Sequence, residues 1–99
     1  MKVKFQAVNF NAKQNLADYL EQKLSKLDTL TDQIIAADVS MKLENTSEKE
    51  NKIVEVRLEI PGDDILVSKS GQSFEECIDL AVDTLKRQVI KRKEKIADR

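Results

Sequence analysis

Four stretches of the chain alternate between apolar and polar side chains, which is the period-2 pattern of a strand with one buried face. In the first stretch, Val3, Phe5 and Ala7 alternate with lysine and glutamine. In the second, apolar side chains occupy every odd position from Ile35 to Leu43. The predicted strands comprise residues 2–8, 35–44, 54–60 and 65–70. We expect one face of each strand to lie in the core.

Two further stretches carry apolar residues at helical spacing. The first stripe consists of Leu16, Leu20, Leu24 and Leu27. It predicts an amphipathic helix from about Lys13 to Leu27, with Asn11 as a candidate N-cap. Ser73 followed by Glu76 forms a capping box, in which each side chain can satisfy a backbone N–H at a helix start. The second helix is therefore predicted to begin at Phe74 and to run toward the C-terminus.

The connections indicate how these elements are arranged. The polar segment 45–51 predicts an exposed hairpin loop, and Pro61-Gly62-Asp63-Asp64 predicts a turn, since glycine supplies a positive φ. Short loops make strands two to four antiparallel, whereas the helical crossover makes the first two parallel if they are adjacent. Because only one face of each strand is apolar, both helices must cover the same side. The predicted fold class is α+β, with the order β-α-β-β-β-α and one four-stranded mixed sheet.

Composition narrows the class of protein. With 99 residues, the chain is expected to form a single domain. No apolar run approaches the ~20 residues of a membrane span, and no apolar segment of a signal peptide follows Met1. Cys77 is the single cysteine and cannot form an internal disulfide, so we expect a protein of the reducing cytoplasm. Histidine is absent, which leaves no histidine base. We expect no metal site and no cofactor.

Charge is distributed unevenly along the chain. The segment from Lys86 to Arg99 holds seven basic and two acidic residues, although the whole protein is formally net −1. The remaining residues hold ten basic and sixteen acidic side chains. A basic segment joined to an acidic body is expected of a protein that presents one basic edge to a polyanion.

The second predicted helix carries the most regular cationic pattern. Arg87, Lys91 and Lys95 are spaced by four residues, which places them in one row, and Arg92 and Lys93 widen the charged surface. Such a row can neutralise successive phosphates of a nucleic acid. The alternative is that a helix C-terminus favours cations through its dipole, although that effect is confined to the last turn.

Three more lysines are candidates for the same surface. Lys23 and Lys26 lie on adjoining turns of the first helix, and Lys42 lies on the exposed face of the second strand. Taken singly, each agrees better with a solvated surface lysine than with a binding residue. No aromatic residue interleaves with these cations, so base stacking on single strands is poorly supported. Phosphate and shape contacts to structured RNA agree better with the pattern.

Catalytic arrangements are difficult to assemble from these residues. Asp63-Asp64 lies in a predicted turn, and Glu75-Glu76 lies in a first helical turn, where negative charge is favourable in any case. Two glycines are too few for a phosphate-cradling loop. Cys77 has no histidine to activate it and is expected to fill space in the core.

The order and spacing of four segments resemble the ribosome hibernation-promoting factor family, also called ribosome-associated inhibitor or sigma-54 modulation proteins. The segments are EQKLSKL at 21–27, VSMKLE at 39–44, SGQSFEECID at 70–79 and LKRQVIKRKEK at 85–95. The resemblance covers essentially the whole chain. It implies a β-α-β-β-β-α fold and a protein that binds the small ribosomal subunit in the channel for messenger and transfer RNA, which inhibits translation in non-growing cells.

The resemblance also implies which residues contact the 16S-type ribosomal RNA. They are Lys23, Lys26, Lys42, Arg87, Lys91 and Lys95, with Arg92 and Lys93 as additions. It implies no small-molecule substrate and no membrane partner. Because the chain ends at Arg99, we expect neither the second domain with which long members pair two ribosomes nor the extended tail of inhibitor-type members.

Two other functions remain open at this point. A small acylphosphatase-like enzyme would have a similar size, but it needs a glycine-rich anion loop leading to an arginine, and the sequence has none. A protein-interaction module could use the exposed sheet face. That face is expected to be charged and mixed in sign, which argues against a large dry interface.

Overall fold

The computed structural model describes residues 1–8, 10–44 and 51–97, with side chains described as far as Arg92. Four strands and two α-helices follow one another in the predicted order. They are β1 (Lys2–Val8), α1 (Gln14–Ser25), a 3-10 helix (Lys26–Thr29), β2 (Ala36–Leu43), β3 (Lys52–Glu59), β4 (Ile65–Gly71) and α2 (Phe74–Ala97). The sequence prediction of fold class and element order is confirmed.

The four strands form one mixed sheet in the order β1-β2-β3-β4. β1 pairs with β2 in parallel, and the two hairpins β2-β3 and β3-β4 are antiparallel, as predicted. The register aligns Phe5, Val39, Val56 and Val67 in one row across the sheet. Since directly opposed residues point to the same side, this row faces the helices. The neighbouring row consists of Lys4, Asp38, Arg57 and Leu66 and faces away from them.

Both helices bury their apolar stripes against the same side of the sheet. From α1, Leu20 and Leu24 are fully buried; from α2, Ile78 and Leu85 are. They belong to one cluster with the inward residues of the strands, such as Met41. Burying a leucine side chain contributes roughly 1.5–3 kcal/mol, so this cluster holds the helices on the sheet. The opposite side of the sheet, which we call the open face, is left to solvent.

The ends of α1 differ from the prediction. Lys13, not Asn11, is the N-cap residue, and it makes no side-chain hydrogen bond to the helix. Asn11 precedes the first turn by too many residues to reach its N–H groups, so the predicted cap is wrong. At the other end the α-helix stops at Ser25 and tightens into the 3-10 helix, which still buries Leu27.

The second strand is also shorter than its apolar alternation predicts. Ile35 was predicted to face the core but is 59% exposed, because the strand begins only at Ala36. Ile34 supplies the buried side chain in its place. At the other end of the strand, the Glu44 N–H donates to the Asn51 carbonyl at 2.8 Å. The predicted hairpin loop between them lies outside the described residues, apart from Asn51.

The predicted turn and capping box are both present. Gly62 has φ +101°, a conformation that favours glycine, between β3 and β4. At the start of α2, the Glu76 N–H donates to the Ser73 hydroxyl at 3.1 Å. The Glu76 carboxylate accepts a hydrogen bond from the Gln72 N–H at 3.1 Å. Glu76 therefore serves the helix start, as the sequence analysis expected.

Two kinds of feature are absent from the described residues. No helix in this part of the chain is long and apolar enough to cross a membrane. Over the same residues, no group of acidic or cysteine side chains has the arrangement of a metal site.

Candidate nucleic-acid interface

The outer surfaces of α1, the 3-10 helix and α2 form one continuous area, which we call the helical face. Phe10, just before α1, stacks on Phe74, the first residue of α2, with 4.4 Å between ring centroids. The two helices thus begin at the same end of the sheet and run side by side. Their polar sides are therefore adjacent.

Lys23 crosses the groove between the helices, but the residue it meets is acidic. Its Nζ lies 3.4 Å from Asp79 Oδ1 and 5.4 Å above the ring of Tyr19. The Tyr19 hydroxyl donates to the same Asp79 oxygen at 2.5 Å. This hydrogen bond stabilises the neutral phenol, and it raises the pKa of Tyr19 above its usual value. Lys23, Tyr19 and Asp79 therefore form one polar cluster that joins α1 to α2.

Arg87 is also paired with an acid. Its guanidinium donates to the Asp83 carboxylate, four residues earlier on α2. The predicted row of cations is thus preceded by a carboxylate in contact with its first member. The Arg87 side chain nevertheless remains 76% exposed, so a phosphate can reach it.

Lys91 and Arg92 lie toward the turn between β3 and β4. Lys91 is exposed and borders a shallow depression with Asp64 and Gln88. Arg92 is half-buried, and its Nη1 donates to the Asp63 carbonyl at 2.5 Å. The charge pattern of the sequence predicts Arg92 on the charged surface. In the structure, its guanidinium holds the Asp63 turn against α2.

Lys86 is a surface cation that the sequence analysis did not include among the candidates. It is exposed, and it follows Asp79 by two helical turns, so it lies on the flank of α2 that faces α1. Lys26, in the 3-10 helix after α1, is exposed as well. The spacing of Lys86 from Asp79 could have placed both residues on one flank of the helix. That this flank faces α1 is visible only from the contacts of Asp79.

Of the remaining candidates, one lies away from the helical face, and the side chains of the others lie outside the described part of the chain. Lys42 is exposed but pairs in register with Val8 and Ile53 on the open face, so the sheet separates it from both helices. The backbone of α2 continues through Lys93 and Lys95. Their side chains lie outside the described part of the chain.

Charges on the open face neutralise one another. Lys4, Asp38 and Arg57 stand next to each other across three strands, with alternating sign, around a depression of about 600 Å³. Arg57 Nε and Nη2 lie 2.8 and 2.7 Å from Asp64 Oδ2. That carboxylate raises the pKa of Arg57 above its usual value. A surface of alternating sign has little net attraction for a polyanion.

The helical face suits electrostatic contact better than covalent chemistry. The exposed cations Lys26, Lys86, Arg87 and Lys91 can each approach a phosphate. The thiol of Cys77 is fully buried and donates to the Lys52 carbonyl at 3.3 Å, so a substrate in solvent cannot reach it. The described residues of this face therefore offer exposed cations that suit contact with a polyanion.

A sequence model of the family described as sigma 54 modulation protein / S30EA ribosomal protein matches residues 3–97. The chain belongs to this family. Among its relatives, a ribosome hibernation promoting factor from Azotobacter vinelandii is 31% identical over 99 residues, covering 100% of this chain and 89% of that protein. A protein of the same name from Pseudomonas putida is 33% identical over 95 residues, covering 96% and 89% respectively. The resemblance stated from the sequence is confirmed.

Solved structures agree with the family assignment. The crystal structure of the N-terminal domain of Protein Y from Thermus thermophilus superposes with a TM-score of 0.77 at 28% identity. The match covers 90% of this chain and 96% of that one. A ribosomal subunit interface protein from Coxiella burnetii gives a TM-score of 0.84 at 20% identity, covering 95% and 99%, which shows the shared fold.

Proposed function

We propose that this protein is a ribosome hibernation factor of the cytoplasm, which binds the small ribosomal subunit and reversibly inhibits translation in non-growing cells. Family membership supports the proposal, since relatives that cover nearly the whole chain are named ribosome hibernation promoting factors. The observation that carries it is the contrast in how the two faces arrange their charges. Exposed cations gather on the second half of α2, beyond its acids, whereas the open face alternates in sign within the sheet.

In this proposal, residues 1–99 act as one ribosome-binding domain, and the helical face contacts the 16S-type ribosomal RNA near the decoding region. Arg87 and Lys91 on α2, with Lys26 and Lys86 beside the groove, neutralise phosphates and release condensed counterions. Lys95 and Lys93 extend the contact along the same helix. Lys23 takes part at the border of the helical face, and Arg92 supports the surface through the turn. Lys42, on the open face, lies outside this contact.

The inhibition follows from shared occupancy. A protein seated in the channel for messenger and transfer RNA excludes both ligands, so binding is mutually exclusive and obeys mass action. No covalent step is required, and the protein acts without catalysis. Reversal needs only dissociation, which suits a factor that preserves ribosomes for later use.

The proposal is tested by titrating the purified protein into a cell-free translation extract with a known ribosome concentration. We expect inhibition to saturate near one protein per ribosome and to be relieved by added messenger RNA with initiator transfer RNA. Inhibition far below one protein per ribosome would indicate an enzyme such as a nuclease, and inhibition insensitive to these competitors would place the site elsewhere.

A further inference from the structure

Two of the candidate RNA-binding cations already have an acidic partner within the protein. Lys23 Nζ lies 3.4 Å from Asp79, and Arg87 bonds Asp83. Both acids are on α2 and both are well exposed, at 50% for Asp79 and 55% for Asp83. They therefore lie within the surface that an RNA would approach.

The helix dipole does not account for these acids, although the i,i+4 pair of Asp83 with Arg87 lends the helix modest support. The α2 helix begins at Phe74, and its first turn already holds Glu75 and Glu76. Interaction of an acid with the helix dipole falls off within that first turn, and both Asp79 and Asp83 lie beyond it. Their exposure also excludes a role in core packing.

Asp79 is held in place by a second contact. The Tyr19 hydroxyl donates to the same Oδ1 that faces Lys23, at 2.5 Å. The carboxylate is thus fixed over the groove between the helices and does not move freely away from Lys23. A phosphate that approaches Lys23 must displace this carboxylate or accept its repulsion.

We propose that Asp79 and Asp83 are specificity-determining residues that compete with RNA phosphates for Lys23 and Arg87. They lower the affinity of the helical face and exclude phosphates from the first half of α2, so that an RNA strand docks only along the second half. This inference rests on the proposed function. It adds that the affinity is limited by the protein's own carboxylates, which favours release.

The test compares three substitutions that each remove one negative charge. Asp79→Asn and Asp83→Asn act on the helical face, and Glu55→Gln is the matched control on the open face, where Glu55 is exposed. The equilibrium dissociation constant for purified small subunits is measured at several salt concentrations. At ~0.1 M salt the field of a charge decays over about 10 Å, so the charge of Glu55 on the open face should not act on RNA bound at the helical face.

We expect each aspartate substitution to tighten binding about two- to fivefold, the range of one exposed ion pair. The salt dependence should steepen by up to about one unit of log–log slope, because one more uncompensated cation meets the RNA. Glu55→Gln should change neither quantity. Tyr19→Phe, which releases Asp79 but keeps the ring under Lys23, should give a smaller increase in affinity.

Unchanged or weaker binding by both aspartate variants would overturn the inference, since the acids would then be neutral or would position the cations. An equal gain from Glu55→Gln would also overturn it, because the effect would then be one of net charge. These outcomes leave the proposed function intact as long as the unmodified protein binds small subunits. Absence of binding by the unmodified protein would contradict the proposed function itself.

Discussion

The open face and the helical face carry charges of both signs, but they arrange them differently. On the open face, Lys4, Asp38 and Arg57 alternate in sign across neighbouring strands, so that each charge stands beside its opposite. On α2 the signs are separated along the helix, with Asp79 and Asp83 before Arg87 and Lys91. If the proposed function is correct, the placement of charge, more than its amount, distinguishes the surface that attracts a polyanion.

The difference arises from the two kinds of secondary structure. In a sheet, each residue has lateral neighbours less than about 6 Å away on other strands, so opposite charges pair across the strands. On a helix, neighbours lie three or four positions away on the same element. A helix can therefore maintain a region of one sign over several turns.

Charge reversal should distinguish the two faces most strongly. Arg87→Glu combined with Lys91→Glu should weaken binding to small subunits by about a hundredfold or more, because two charge-assisted contacts become repulsions. Lys2→Glu combined with Lys4→Glu makes the same change in net charge on the open face and should have little effect. Sedimentation with small subunits measures both.

All four side chains are exposed, so we expect both double variants to remain folded. Thermal unfolding checks this expectation. If the α2 reversal unfolds the protein, the row is structural, and the functional role of this helix is wrong.

Leucine truncation compares the core with the open face. Leu85→Ala should lower the free energy of unfolding by about 2–5 kcal/mol, because the Leu85 side chain of α2 is fully buried in the core. Leu66→Ala should change it by less than about 0.5 kcal/mol, because Leu66 is 74% exposed on the open face. Urea denaturation provides both values. A large loss for Leu66→Ala would reveal that the open face is covered in solution.

Salt dependence measures how many phosphates the helical face neutralises. The log–log slope of binding to small subunits should lie near −3 to −5 if about four to six phosphates are contacted. Equilibrium binding at increasing potassium concentration provides this slope. An affinity independent of salt would contradict electrostatic recognition.

A titration of Tyr19 tests the cluster between the helices. Its pKa is raised chiefly by the hydrogen bond to Asp79, so Asp79→Asn should lower it toward the usual value of about 10. A raised pKa stabilises the fold below the unfolded value, and this contribution is lost as pH rises through the folded value. Since Tyr19 is the single tyrosine and tryptophan is absent, tyrosinate absorbance reports it directly. An equal Tyr19 pKa in the unmodified protein and in Asp79→Asn would show that the Tyr19–Asp79 contact is absent in solution.

Most of the fold could be predicted from the sequence because local signals and packing agree. Strand alternation, the Ser73 capping box and the glycine turn at Gly62 each specify the observed structure. The errors occurred at element ends, where periodicity continues but the structure does not. Ile35 keeps the alternation of β2 yet lies before the strand, and Asn11 precedes α1 by too many residues to cap it.

The candidate site was less predictable because spacing along one element does not reveal what lies opposite. The row on α2 was visible, but the partner of Lys23 across the groove was not. Arg92 satisfied the same charge pattern, although its guanidinium contacts the Asp63 carbonyl in a turn distant in sequence. The alternation already placed Lys42 on the exposed face of its strand, and the sheet register confirms that this face lies away from the helices.

The most direct test of the central claim is to map which face approaches ribosomal RNA. Gln22→Cys on α1 and Ser68→Cys on β4 are exposed sites on the helical and open faces, and Cys77 is buried from the reagent. An iron chelate attached at each site generates hydroxyl radicals in the complex with the small subunit. We predict strong cleavage of channel RNA from position 22 and weak cleavage from position 68. Stronger cleavage from position 68 would contradict the account.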